Sequence, residues 1–248
     1  MTILFGVSCD DGVILATDSV RVVTNKGWGW PLHPPPTTLG LEVTARKIGQ
    51  LGDRFVFAAS GGGFRREMTG VGVRALTDLD ELAPALFAEV ERSVAPLIDD
   101  PLWIAAGKPE HDDVQLLVGG GRAGVAPGLV FVRRRYALAS GTPAGPVELT
   151  NVRRGDFVAR GVAEPWASAV GLEVDMPTQV AEAEPVVVAL CHACVAYWRL
   201  HLGGVSVVAF PLQVAVITSA RSSVRQVSEL SPVERRIVQL LQDQGAPV

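Results

Sequence analysis

Cysteine is scarce in this chain: Cys9, Cys191 and Cys194 are the three in 248 residues. They make no disulfide framework, which points to a reducing cytoplasm. Long uncharged apolar runs are missing as well. None reaches the roughly 18 residues a membrane span needs. The longest candidate, Pro185 to Trp198, is shorter and leads into Arg199 and His201. No basic segment precedes the apolar N-terminus, and Asp10 and Asp11 interrupt it, so no secretory leader is expected. Charge of one sign is also lacking. The net charge is −4 with a pI near 5.6, so nothing draws the chain to nucleic acid or anionic membranes. No repeat or linker divides it, and residues 1–248 are expected to form a single domain.

Apolar residues are abundant, at 48%, and mean hydropathy is +0.29. That is high for a soluble monomer, and the excess is expected to cover a large buried core plus subunit interfaces.

The first eighteen residues read as a β-hairpin. Thr2 to Cys9 is rich in β-branched and apolar types, Asp10-Asp11-Gly12 is turn chemistry, and Val13 to Ala16 is a continuous apolar run. A hairpin brings its ends together, so Asp18 should lie near Thr2. If Met1 is removed, Thr2 carries a hydroxyl nucleophile and a free α-amine able to act as its base.

A Trp/Pro-rich insertion follows at about 24–42; it suits neither a helix nor a central strand and reads as a long loop, either packed on the surface or serving as a lid or a partner-contact loop. Strands are expected over Val43 to Leu51, which includes Lys47, and over Arg54 to Ala59. The run Ser60-Gly61-Gly62-Gly63 then precedes a helix over about Phe64 to Leu76 and offers backbone N–H groups of the kind that stabilise anions. Further helices are expected over Asp80 to Leu97, in a short segment ending at Val170, over Thr178 to Leu202, and from a capping box at Ser231 to about Gln242. Val114 to Val118, Gly128 to Arg135, Val147 to Val152 and Phe157 to Arg160 read as strands. Val205 to Phe210 and Gln213 to Thr218 read as a final pair around Pro211. Arg133-Arg134-Arg135 reads as a solvated strand end. Strands and helices segregate instead of alternating, which favours antiparallel sheets between helical layers over a parallel sheet.

Cys191-His192-Ala193-Cys194 places two thiols on one helix face, but third and fourth metal ligands are missing nearby. Small buried residues are the better reading, and no metal site is assigned.

Thr2-Ile-Leu-Phe-Gly-Val, Asp11-Gly-Val-Ile-Leu-Ala-Thr-Asp-Ser19, Arg46-Lys-Ile48 and Phe57-Ala-Ala-Ser-Gly61 together resemble the proteasome β-type subunit family of the N-terminal-nucleophile (Ntn) hydrolase superfamily, as a divergent bacterial-type member. The resemblance is specific over roughly 2–67. It implies an α+β fold, a four-layer αββα sandwich of two antiparallel sheets flanked by helices. It places the nucleophile on Thr2, its acidic partner on Asp18, the catalytic lysine on Lys47 and the oxyanion-hole glycine on Gly61. Pocket positions fall on Ala45, Ala59 and Gly63. It implies a threonine-type peptidase or amidase acting on a peptide or amide substrate without a cofactor, and assembly into a homo-oligomer, ring-like or related, with which the apolar composition is compatible. The Lys-to-Gly separation fits the family, whereas the Asp-to-Lys separation is lengthened by the insertion. In the second half, Val162 stands where the family has serine, Arg199 on its aspartate and Leu202 on its serine. These departures keep two alternatives open, a non-catalytic structural subunit and a small-molecule amidase or acyltransferase of the same fold.

Overall fold

The computed structural model describes residues 2–19, 21–24, 39–42, 46–60, 76–98, 111–137, 142–161, 163–171, 174–201 and 210–243. The opening hairpin forms as expected. Strands β1 (Ile3–Ser8) and β2 (Gly12–Thr17) pair antiparallel, with Leu4 opposite Thr17. Every residue of both strands is buried, which explains why they read as apolar runs rather than as a polar alternation.

Two further strands flank the hairpin and close a five-stranded antiparallel sheet. β11 (Phe157–Gly161) pairs with β1, and β12 (Leu212–Thr218) pairs with β2 and carries β13 (Ser222–Val227) at the edge. The expected partner of β12, Val205 to Phe210, falls outside the described residues except for Phe210. β13 was not anticipated. Its sequence, SSVRQV, is mostly polar because this edge strand is largely exposed.

The second sheet has the order β10 (Glu148–Val152), β8 (Gly128–Ala137), β7 (His111–Gly120), β6 (Phe55–Ser60), β5 (Ile48–Leu51), with short β9 (Thr142–Pro143) also on β8. The ends of the Trp/Pro-rich insertion pair with each other as β3 (Arg21–Thr24) and β4 (Leu39–Glu42). Its middle and the expected helix over 64–76, apart from Leu76, lie outside the described residues.

Three apolar layers hold the sandwich. Leu4, Leu15, Val56, Leu117, Leu129 and Phe131 fill the space between the sheets. Helix α1 (Leu79–Ile98) covers the second sheet with Leu82, Leu86, Phe87 and Val90. On the far side of the first sheet lie α2 (Ala163–Ala169) and α3 (Val180–His201), packed on Ile3, Phe5, Val7 and Ile14. The fold is thus the αββα arrangement. α4 (Pro232–Asp243) packs beside α3, and its capping box is formed: the Ser231 N–H donates to Glu234 Oε2 at 2.6 Å and the Glu234 N–H to Ser231 Oγ at 3.3 Å.

Among the described residues α3 is the one helix long and apolar enough to cross a membrane. Here Ala183, Val187, Val188, Leu190 and Cys194 are buried against the sheet and its neighbouring helices, so its apolarity serves the core. The hairpin turn caps this helix: Asp11 Oδ1 accepts the Val180 N–H at 2.8 Å, and the Asp10 N–H donates to the Thr178 carbonyl at 2.7 Å. The Arg133–Arg135 run is less solvated than expected. Arg133 meets Glu148 at 2.8 Å and Arg134 meets Glu91 on α1 at 3.2 Å.

Because apolar side chains fill the space between the sheets, truncating one should loosen them. Leu117→Ala is expected to cost about 3 kcal/mol, and Leu240→Ala, on the exposed side of α4, well under 1 kcal/mol; urea unfolding of the two variants measures the difference.

Candidate active site

Thr2 immediately precedes β1 and Asp18 immediately follows β2, so the hairpin register sets them side by side. Asp18 is fully buried. A carboxylate so placed needs donors, and it has them: the Ile3 N–H at 3.0 Å and the Lys47 ammonium at 2.8 Å from each oxygen. Lys47 lies just before β5 in the other sheet, so this ion pair joins the two sheets. Its Nζ also lies 3.3 Å from Thr2 Oγ1. Burial pushes the Lys47 pKa below the ordinary lysine value, and the neighbouring Asp18 charge opposes that shift without cancelling it. The lysine therefore holds three properties at once: contact with the hydroxyl, a charge partner and an amine easier to deprotonate than in water.

The backbone carrying Lys47 is fixed by a residue that sequence reading missed. Gln213, on β12 and 2% exposed, accepts the N–H groups of Lys47 and Ile48 on its Oε1, at 3.0 and 3.1 Å. Its Nε2 donates to Ser19 Oγ at 3.0 Å, and that hydroxyl donates to the Pro211 carbonyl. One amide thus ties the start of β5 to the residue after Asp18. The available signal was a lone glutamine in the apolar strand LQVAVIT; a buried amide must find partners.

Gly161 closes the other side of Thr2. Its φ is +65°, and a Cβ there would come 2.1 Å from the Thr2 carbonyl oxygen, so only glycine fits. Its N–H donates to Oε1 of Gln115, a buried residue of β7, at 2.8 Å. Thr2 is wedged between Gly161 and the Lys47–Asp18 pair.

Of the residues expected in the site, the structure therefore brings Thr2, Asp18 and Lys47 together. Ala59 lies on the face of β6 that packs under α1, among Phe57, Leu86 and Leu116. Gly61, Ala45 and Gly63 lie outside the described residues, as do Val162 and Leu202. Arg199 is exposed in the last turns of α3. Cys191 and Cys194 are buried beneath the site, and burial drives both thiols well above their ordinary values, with Asp18 adding to the effect. Cys9 is pushed up to about 11, by burial first and then by Asp11 and Asp10. No group of three or more His, Cys, Asp or Glu able to hold a metal occurs among the described residues.

With this geometry in place, known structures provide a reference. The chain resembles the Anbu (ancestral beta-subunit) protein of Yersinia bercovieri, with a TM-score of 0.57 at 15% identity, covering 98% of this chain and 94% of that one. It also resembles an Anbu (Gly-1) mutant from Hyphomicrobium sp. strain MC1, with a TM-score of 0.50 at 15% identity and the same coverage. The fold is Ntn-like. No family model and no curated protein matches the sequence. The expectation of a proteasome β-type subunit is corrected accordingly: the structural neighbours belong to a proteasome-like but distinct family. The physical reason lies in where the matching pieces sit. The hairpin, Lys47 and the end of β6 are parts of the scaffold itself, so they report the fold and not the family within it.

Two outcomes follow. Gln213→Leu removes the acceptor of the Lys47 and Ile48 N–H groups and the donor to the Ser19 hydroxyl, and should destabilise the protein by about 3 kcal/mol, read by urea unfolding. The native protein should resist iodoacetamide at pH 8 at all three of the described buried cysteines and take up three labels only when unfolded, read by intact mass.

Proposed function

We propose that the chain is an N-terminal threonine amidohydrolase that cleaves an amide in a peptide or peptide-like substrate after Met1 is removed. One observation carries this reading: Lys47 Nζ bridges Thr2 Oγ1, at 3.3 Å, and the buried Asp18 carboxylate, at 2.8 Å. A core needs no such arrangement, since a buried ion pair is often no better for stability than apolar packing.

In this mechanism Thr2 Oγ attacks the amide carbon while its proton passes to neutral Lys47 or to the freed α-amine. Asp18 holds the lysine in place and stabilises the ammonium as it forms. The oxyanion is assigned to the Gly61 N–H, from the Ser60-Gly61-Gly62-Gly63 run that follows β6 in the sequence; donors of this kind are worth roughly 3–4 kcal/mol in serine hydrolases. Collapse of the tetrahedral intermediate expels the amine, which takes up the proton, and leaves an ester on Thr2. Water then hydrolyses the ester. No metal or organic cofactor enters these steps. A homo-oligomeric, cytoplasmic enzyme is part of the same proposal.

The sign of the pH dependence follows from the lysine. Lys47 accepts a proton only when neutral, and burial lowers its pKa. Activity should therefore rise with pH along a limb centred below the ordinary lysine value. Lys47→Ala should reduce kcat/KM by about 100-fold or more. Intact mass should show a protein lacking Met1 that gains one β-lactone adduct, and Thr2→Ala should gain none. A cellular protein that retains Met1, or an adduct that survives in Thr2→Ala, contradicts the proposal.

A further inference from the structure

We infer that Arg160 is a carboxylate-recognition residue beside Thr2, and that the preferred substrate carries a carboxylate flanking the scissile amide. This rests on the hydrolase reading above and names the substrate class for that site.

The placement comes from register. Arg160 on β11 lies directly opposite Leu4 on β1. Leu4 points into the space between the sheets. Side chains alternate along a strand, so Thr2 shares that face, and Arg160 is its diagonal cross-strand neighbour, about 7–8 Å away between backbones. The Arg160 side chain extends across the gap: its guanidinium carbon lies 4.6 Å from the centre of the Phe131 ring on β8 of the other sheet. The ring holds the guanidinium flat without using its N–H groups.

Those groups are only partly engaged. Nη1 donates to the Ala159 carbonyl at 2.8 Å and lies 3.6 Å from Glu164, a half-exposed residue at the start of α2. Such a pair is long and solvated, and contributes little. Nε is buried with no hydrogen-bond partner among the described residues. An N–H left so costs free energy unless a ligand supplies the acceptor. Arg133, two residues beyond Phe131 on the same face, shows the contrast, since Glu148 engages it at 2.8 Å through Nη2 and at 2.9 Å through Nε. A guanidinium fork matches a carboxylate's two oxygens. The distance to Thr2 suits a carboxylate one side chain removed from the attacked carbonyl, either a Glu or Asp side chain or a terminal α-carboxylate.

The test reads the Arg160 Nε–H directly, by arginine-selective ¹H–¹⁵N NMR of the full chain. The signal is assigned by its loss in Arg160→Gln and, should that variant fail to fold, in Arg160→Lys. Four probes are titrated in the Thr2→Ala background, where no hydrolysis is needed: acetyl-Ala-Ala-Glu-methylamide against its Gln counterpart, and acetyl-Ala-Ala-Ala as free acid against its methylamide. The carboxylate member of at least one pair should shift the signal and bind roughly tenfold tighter than its neutral partner. The pair that responds identifies the side-chain or terminal source. Equal responses within both pairs, or no shift with any probe, overturn the inference. β-Lactone labelling of Thr2 in the wild-type chain reports separately on the hydrolase reading, so either idea can fail without the other.

Discussion

The ion pair between Lys47 and Asp18 is the interaction on which the rest of the site depends. It joins the two sheets at one end of the sandwich, buries a carboxylate completely and sets the lysine against Thr2. Its energetics are finely balanced. Desolvating two charges costs several kcal/mol, and close contact returns most of it only while both partners remain. Removing one leaves the other charged and buried, at a cost of about 3–5 kcal/mol. A carboxylate–lysine pair beside a hydroxyl is thus hard to lose by drift in one residue, yet offers the core little that leucine would not.

The hairpin that carries Thr2 and Asp18 governs more than the site. Its open end presents the threonine and the aspartate. Its turn, through Asp10 and Asp11, caps the N-terminus of α3. The same helix then runs beneath β1 and β2 and buries Cys191 and Cys194 under the ion pair. Gln213 and Gly161 complete the frame from the two strands that flank the hairpin, one fixing the lysine backbone and the other the threonine carbonyl. Thr2 is thereby held between Gly161 of β11 and the Lys47 ammonium, whose own backbone and charge partner are fixed by β12 and β2.

Much of this was legible in the sequence, for reasons that can be named. The hairpin announced itself by its turn residues and apolar runs, α4 by its capping box, and the layering by the segregation of strands from helices. Thr2, Asp18 and Lys47 were identifiable because their residue types and order match a known scaffold. Two kinds of feature escaped. Edge strand β13 has no apolar pattern because it has little to bury. Gln213 and Arg160 are single polar residues whose meaning depends on cross-strand register, which sequence alone does not specify. The family was misassigned for a related reason: the matching pieces are the opening hairpin and strand ends of the fold itself, which report the fold and not the family within it.

The central claim is that Lys47 is an ionisable group tuned by burial and held by Asp18. Direct titration of the Lys47 Nζ by ¹⁵N NMR, in the wild-type chain and in Asp18→Asn, tests it most directly. Burial lowers the pKa and Asp18 raises it. The account therefore predicts a wild-type midpoint below the ordinary lysine value and a further drop when the aspartate charge is removed. A lysine that titrates at the ordinary value, or one indifferent to Asp18→Asn, would contradict it.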